Sequence, residues 1–186
     1  MKTERKHAVP TLKTHRLILP PLELSDSEDI QRLFPQWEIV KYITSQVPWP
    51  YPEGAARQFI QEIALPSMEK NSGWYWSLRL QEDPDHLIGV INLCDTPNAN
   101  RGFWLTAAFQ GKGLMSEASE AVTDFWFNQL DKPVLRVPKA KANLASRRIS
   151  ERNGMRVVAT QWADFVGGRM ETEIWEITKD EWNHRR

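Results

Sequence analysis

The sequence predicts an α/β or α+β fold in which a mixed sheet is flanked by helices on both faces. Apolar and aromatic runs of strand length alternate with segments of helical periodicity, and prolines and glycines separate them. A strand, a helix and a strand over residues 101–137 require a right-handed crossover. The length of 186 residues fits one core. We therefore expect a single domain over 1–186, with a flexible tail over 1–10.

Composition excludes several classes of protein. The 24 Lys and Arg balance 24 Asp and Glu, so no overall field attracts nucleic acid or anionic lipid. The single Cys94 cannot form an internal disulfide or a multi-cysteine zinc site, which favours a reducing compartment and no metal. No apolar run reaches the ~20 residues of a membrane span. We expect a cytoplasmic protein with no nucleic-acid or membrane partner, either a monomer or a homodimer.

The N-terminal half is predicted to contain a strand, two helices and three further strands. Ser25 and Glu28 have the spacing of a capping box, and Pro66 is expected to end the second helix. The elements are a strand over 16–19, helices over 25–34 and 51–66, a hairpin of strands 74–80 and 86–93, and a strand over 101–106.

The C-terminal half is predicted to alternate helices and strands. Asn143 is a helix cap and Gly154 a left-handed helix stop. The elements are a helix from 113 to about 130, a strand over 134–137, a helix over 143–153 and strands over 155–160 and 170–177. The predicted order is therefore β-α-α-β-β-β-α-β-α-β-β.

A strand, a glycine loop and an amphipathic helix over 103–118 carry the strongest functional signal. Gly111 and Gly113 let the backbone approach an anion, and the N–H groups of the helix start favour negative charge. The alternative interpretation is that these two glycines are needed only to form the turn. A Walker A loop is disfavoured because Gly113 follows Lys112, and a dinucleotide fingerprint because Ser116 stands in place of the third glycine.

Four separated motifs resemble the GCN5-related N-acetyltransferase (GNAT) superfamily, specifically its RimJ/RimL-type branch, over most of the chain. They are Thr14-His15-Arg16-Leu17, Ile88-Gly89-Val90-Ile91, Gly102-Phe103-Trp104-Leu105 leading to Gln110-Gly111-Lys112-Gly113, and Asn143-Leu144-Ala145-Ser146 leading to Glu151-Arg152-Asn153-Gly154-Met155. The resemblance implies a mostly antiparallel sheet and a wedge for acetyl-CoA between the fourth and fifth strands. It implies no metal.

The resemblance also implies a set of site residues. Backbone groups of Trp104, Leu105 and Thr106 would pair with the pantetheine amides, and Asn143 would bind the same arm. Ser146 would lie near the thioester sulfur as the catalytic candidate. The pyrophosphate would be held by Gln110, Gly111, Lys112, Gly113, Leu114 and Met115. Arg147, with Arg148, Lys139 and Lys141, would form a basic patch for a CoA phosphate, unless these charges only solvate a helix face.

The implied activity is direct transfer of the acetyl group from acetyl-CoA to a primary amine. The acceptor is a protein N-terminal α-amine or a small amine such as a polyamine or an antibiotic. A non-catalytic acyl-CoA sensor is the alternative, because Asn100 and Arg101 stand where members of the family often carry a glutamate base. Nucleic-acid binding through 139–148 is disfavoured by the zero net charge.

Spacing does not rank the candidate general bases, which are His86, Asp95, Asp164 and Glu171, and water is a further candidate. Cys94 is expected to be a buried, inert thiol. The Trp/Pro-rich loop over 47–52 is either an aromatic wall over the acceptor or ordinary core packing.

Overall fold

The computed structural model describes residues 8–185. The strands are β1 (Leu12–Lys13), β2 (Leu17–Leu19), β3 (Gly73–Leu80), β4 (Gly89–Cys94), β5 (Arg101–Leu105), β6 (Val134–Ala140), β7 (Arg156–Phe165) and β8 (Gly168–Thr178). The helices are α1 (Ser27–Leu33), α2 (Trp37–Val40), α3 (Ala55–Phe59), α4 (Leu65–Glu69), α5 (Leu114–Asn128), α6 (Leu144–Arg152) and α7 (Lys179–His184). No helix within 8–185 is long and apolar enough to cross a membrane.

The strands form two antiparallel sheets, β1-β2-β3-β4-β5 and β6-β8-β7. Between the sheets, β5 and β6 run side by side in the same direction. Contacts advance along both strands together, from Asn100 and Arg136 at their starts to Phe103 and Lys139 further on. The architecture, with helices on both faces, confirms the predicted fold class.

Two apolar clusters occupy opposite faces of the sheets. One includes Trp76 and Trp126 and joins the first sheet to α5, β6 and β8. The other includes Tyr75 and Val90 and packs beneath α1 to α4. Because side chains alternate along a strand, Phe103 and Leu105 of β5 belong to the first cluster and Trp104 to the second.

Two predicted helix boundaries are wrong. The Glu23 N–H donates to Asp26 Oδ2 at 2.9 Å, so the box lies at these residues instead of Ser25 and Glu28. Pro66 does not end the second helix, which begins at Ala55 and continues to Glu69. A π-helical turn over Ile60–Ala64 precedes Pro66, and the helix continues past the proline although Pro66 has no N–H to donate to the preceding turn.

The structure adds elements that the sequence did not reveal. These are β1, α2 and α7, and the final hairpin runs from 156 to 178, longer than predicted. Residues 1–7 of the predicted tail lie outside the described residues. Val9 packs against the core, and the Pro10 carbonyl accepts a hydrogen bond from Trp76 Nε1 at 2.8 Å. The end of the predicted tail is therefore attached to the domain.

Candidate functional site

Strands β5 and β6 are joined only at their starts. The Asn100 N–H donates to the Arg136 carbonyl at 2.8 Å, and Asn100 Oδ1 accepts from the Arg136 N–H at 2.8 Å. Beyond this point the two strands share no ladder among the described residues. We call the gap between them the wedge.

The hydrogen-bond register decides which backbone groups of β5 face the wedge. The Thr106 N–H donates to the Ile88 carbonyl and the Asn100 carbonyl accepts from the Cys94 N–H, both at 2.9 Å. An antiparallel ladder bonds alternate residues, so the even-numbered residues of β5 bond to β4. The backbone groups of residues 101, 103 and 105 therefore face the wedge.

This register separates the backbone groups that the sequence grouped together. The Leu105 carbonyl accepts from Gln110 Nε2 at 2.8 Å. The N–H groups of Phe103 and Leu105 have no acceptor within the described chain. Of the three residues predicted to bind pantetheine through the backbone, Leu105 faces the wedge, whereas the N–H groups of Trp104 and Thr106 point to β4.

The opposite wall, β6, also turns a free edge to the wedge. Its odd-numbered residues bond to β8, because the Lys141 N–H donates to the Glu171 carbonyl at 2.9 Å and the Lys179 N–H to the Pro133 carbonyl at 3.0 Å. Pro138 is even-numbered, so its missing N–H removes no bond from this ladder. The proline keeps that edge of β6 unpaired.

The glycine loop lies at the open end of the wedge. Gly111 and Gly113 have positive φ of 75° and 78°, which L side chains adopt only with strain. Gly113 precedes the first residue of α5. Across the described residues, the N–H groups from Gly111 to Ser116 have no acceptor. Unpaired amides at a helix start form a site for an anionic group such as phosphate.

Arg16 braces this loop, a role that the sequence analysis missed. Its Nη1 donates to the Lys112 carbonyl and its Nε to Glu117 Oε2, both at 2.9 Å. Thr14 Oγ1 also donates to Glu117, at 2.5 Å. Burial alone would raise the pKa of Glu117, but the hydrogen bonds from Thr14 and Arg16 hold it below its usual value. Thr14 and Arg16 both belong to the motif Thr14-His15-Arg16-Leu17, and this motif was the only feature of the sequence that pointed to them.

Ser146, the predicted catalytic residue, lies buried at the start of α6. The Asn143 side chain accepts from the Ser146 N–H at 3.3 Å, which confirms Asn143 as the helix cap. Lys139 Nζ donates to Ser146 Oγ at 2.6 Å and lies 4.8 Å from the centre of the Phe103 ring. Burial, and then the nearby Arg101 charge, lower the pKa of Lys139 well below its ordinary value.

The four cations near α6 do not form one basic patch. Lys139 is buried, and Lys141 pairs with Glu171 at 3.3 Å. The guanidinium of Arg147 donates to both carboxylate oxygens of Glu173, at 2.9 and 3.3 Å. Only Arg148 stands exposed without a carboxylate partner within residues 8–185. The expected basic patch for a CoA phosphate is therefore dispersed.

Asn100 and Arg101, at the place of the expected base, have structural roles. Asn100 joins the wedge strands at their starts. Arg101 is buried and its Nη1 donates to Thr123 Oγ1 at 2.7 Å and Asn153 Oδ1 at 2.9 Å, so it ties β5 to α5 and to the end of α6. Burial lowers the pKa of Arg101 to about 10, which leaves the guanidinium charged at neutral pH. Neither side chain can act as a base.

None of the candidate bases is buried. His86 pairs with Asp83 at 2.7 Å on an exposed turn, where the hydrogen bond raises the pKa of His86. Asp95 pairs with Lys132 at 2.7 Å, Glu171 pairs with Lys141, and Asp164 is exposed.

Cys94 is only half-buried, so the expectation of a buried thiol is wrong. Its Sγ lies 3.3 Å from Asn92 Nδ2 and 3.5 Å from the Tyr75 hydroxyl, and no histidine is paired with it among the described residues. The thiol remains without the base that a nucleophile needs.

An aromatic surface lies on the face of β5 opposite to Phe103. The Trp104 ring is 5.3 Å from Phe34, which is 5.2 Å from Tyr51. Burial raises the pKa of Tyr51 to about 12, so its hydroxyl stays protonated. Trp37 and Trp49 pair at 6.0 Å and remain 48% and 41% exposed. The Trp/Pro-rich loop thus contributes both to the core and to an exposed aromatic wall.

The residues of the wedge fit a phosphopantetheine group. The open strand edge offers N–H groups to its amides, and the glycine loop offers unpaired amides to its phosphates. Within residues 8–185, no group of three or more His, Cys, Asp and Glu is placed to hold a metal ion.

Known proteins resemble this chain in sequence and in fold. Residues 16–156 match the model of the acetyltransferase (GNAT) domain. The probable N-acetyltransferase YjcK of Bacillus subtilis is 27% identical over 158 residues, covering 77% of this chain and 82% of that protein.

Solved structures share the fold at low sequence identity. The RimL ribosomal L7/L12 α-N-protein acetyltransferase in complex with coenzyme A has a TM-score of 0.76 at 18% identity, covering 91% of this chain and 97% of that one. The ribosomal-protein-S5-alanine acetyltransferase of Vibrio fischeri has a TM-score of 0.79 at 14% identity, covering 93% and 98%. The spermidine N-acetyltransferase of Vibrio cholerae in complex with CoA and spermine has a TM-score of 0.74 at 18% identity, covering 90% and 98%.

The family model spans most of the chain and includes both walls of the wedge. The chain therefore belongs to the GNAT family and is an acetyltransferase whose acyl donor is acetyl-CoA.

Proposed function

We propose that the protein transfers the acetyl group directly to the N-terminal α-amine of a protein or peptide. Bound acetyl-CoA supplies an activated acyl group as a thioester. The observation that carries the proposal is the continuity of the wedge with the glycine loop, because unpaired backbone donors line both. No covalent enzyme intermediate is needed, because the amine attacks the thioester carbonyl directly.

Each wall of the wedge has its own task in this proposal. The N–H groups of Phe103 and Leu105 hold the pantetheine amides and the thioester oxygen. The glycine loop from Gly111 to Met115 holds the pyrophosphate, and Arg16 keeps the loop in place. Ser146 faces the sulfur, and water accepts the proton that the attacking amine loses.

The exposed aromatic pair favours a peptide as the acceptor. Trp37 and Trp49 lie 6.0 Å apart and remain 48% and 41% exposed. A peptide N-terminus offers one amine together with side chains that can pack on this wall. The names of the RimL and S5-alanine acetyltransferases support the same class of acceptor.

Thermal unfolding with excess acetyl-CoA tests the donor site. A ligand at about 100 times its Kd stabilises the native state by about 2.7 kcal/mol, which we expect to raise the Tm by about 5–10 °C. Gly111→Val should abolish the rise. Gly54→Val is the matched control, because Gly54 has φ of 77° and open space but begins α3, away from the wedge. No rise in the parent protein would overturn the proposal.

An acceptor panel tests the second half of the proposal. CoA release should depend on peptides with free N-termini and be lost when the same peptides are N-formylated. Release with spermidine but not with peptides would overturn the acceptor class. Tight acetyl-CoA binding without release for any amine would favour the non-catalytic acyl-CoA sensor.

A further inference from the structure

Three elements that frame the wedge contribute to one small buried cluster. Lys139 extends from β6, Ser146 begins α6 and Phe103 lies on β5. The Lys139 amine donates to Ser146 Oγ at 2.6 Å and lies 4.8 Å from the Phe103 ring. Lys139 is only 6% exposed. The cluster therefore lies against both strands of the wedge, where they no longer pair.

Lys139 has no carboxylate partner within residues 8–185. Its partner across the ladder is Glu173 on β8. Both oxygens of Glu173 are occupied, by Arg147 and by Trp175 Nε1 at 3.2 Å. Arg101 on β5 adds a second buried cation, also without a carboxylate. Arg101, Arg147 and Glu173 are the ionisable groups that face Lys139, and their sum leaves positive charge at the wedge.

The Ser146 hydroxyl is oriented by this amine. Its oxygen accepts from Lys139, and its hydrogen has no acceptor in the described structure. A hydroxyl held in this way can donate to an anion that enters the wedge.

We propose that Lys139 is a positioning residue that acts through Ser146 Oγ to stabilise the negative charge on the CoA sulfur as the thioester breaks. The proposal rests on the proposed function. The C–N bond forms and the C–S bond breaks, the sulfur keeps the electron pair, and the proton of the amine passes to water. The positive charge around Lys139 then lies where the negative charge develops.

Burial is consistent with this role. It lowers the pKa of Lys139, and a negative charge that develops nearby raises that pKa again, because an opposite charge favours the ammonium form. A cation that was already paired with a carboxylate would have no such response. The lack of a carboxylate is thus the property that the reaction uses.

The test compares CoA with desulfo-CoA and needs no acceptor. Free thiols have a pKa of about 8.5, so at neutral pH free CoA is mostly the thiol. We expect the parent protein to bind CoA about tenfold more tightly than desulfo-CoA, and the bound CoA to show the ultraviolet absorbance of a thiolate. Lys139→Met and Ser146→Ala should each lose both signals, and Lys139→Arg should restore part of them.

Lys141→Met is the matched control, because Lys141 lies two residues further along the chain and pairs with Glu171 at the surface. It should keep both signals. Lys139→Met is expected to fold, since replacing a buried charge by an apolar side chain is usually tolerated. If the parent binds both ligands equally and no thiolate appears, the role of Lys139 is overturned and the proposed function stands. If neither ligand binds, the proposed function and this inference fall together.

Discussion

The two walls of the wedge present different kinds of polar groups, backbone N–H groups on one side and side chains on the other. On the β5 and α5 side, the groups that face the wedge are backbone N–H groups, and glycine supplies the conformation of the loop. On the β6 and α6 side, the polar groups are side chains, chiefly Lys139, Ser146 and the pair of Arg147 with Glu173. A backbone wall tolerates changes of exposed side chains but not added volume, whereas a side-chain wall responds to the loss of a single charge.

The largest effect is expected from added volume on the backbone wall. A Cβ at Gly89 would lie 2.4 Å from the Trp104 carbonyl oxygen and 3.2 Å from the Leu105 Cα. Both are backbone atoms, so β4 and β5 must separate. Gly89→Ala should lower the free energy of unfolding by about 3 kcal/mol, measured by urea denaturation. At Gly102 a Cβ would meet only the Asn92 side chain, at 2.9 Å, and Gly102→Ala should cost clearly less. Equal losses would contradict this.

The next effect concerns the buried ion pair of the side-chain wall. Glu173→Gln leaves Arg147 without a carboxylate, and Arg147 is 26% exposed, so solvent compensates in part. We expect a loss of about 2 kcal/mol in unfolding free energy. Glu171→Gln breaks the exposed pair with Lys141 and should change stability by no more than about 0.5 kcal/mol. A large loss for Glu171→Gln instead would place the sensitive contact at the surface.

Lys139→Met should instead raise the free energy of unfolding. Removing a buried charge that has no carboxylate partner should raise the unfolding free energy at neutral pH by about 1 kcal/mol. In the parent protein the folded pKa of Lys139 lies below the ordinary 10.5, so the unfolded state binds more protons between the two values. Stability therefore gains from rising pH across that window, and the variant should lack this gain. Denaturation at several pH values measures the slope, and identical slopes would contradict the burial of the charge.

The smallest effect is expected for the one charged side chain of the glycine loop. Lys112 is exposed, and its Nζ lies 5.5 Å over the Phe109 ring. Lys112→Ala should weaken acetyl-CoA binding by about two- to fivefold, or about 0.5–1 kcal/mol, and the difference should shrink in salt. Calorimetric titration measures it. A hundredfold loss would show that this side chain, not the backbone, holds the phosphates.

The fold class and most elements could be predicted from the sequence, because their signals are local. The periodicity from Gly113 onward predicted α5, and Asn143 predicted the start of α6. The end of the second helix was mispredicted because a π turn before Pro66 is not visible in composition. The capping box was misplaced because Asp26 is held by Arg79, a residue distant in the sequence.

Some parts of the candidate site could likewise be predicted from the sequence, and others could not. The glycine loop could be predicted, because positive φ values and the start of a helix depend on residues that are neighbours in the sequence. The wedge-facing side of β5 was not, because the register with β4 decides whether Trp104 or Phe103 turns its N–H outward. Arg147 could not be assigned from its charge, since Glu173 lies on another strand.

The sequence by itself determined the order of the main strands and helices, the glycine turn at Gly111 and Gly113 before a helix and the absence of a multi-cysteine site, because each depends on residue types at short spacing. Only the tertiary structure decided that Lys139 is buried against Ser146, that Arg101 turns into the core and that Arg16 holds the loop. The physical reason is that the energy of a charge depends on its surroundings. Those surroundings are supplied by strands and helices far away in the chain.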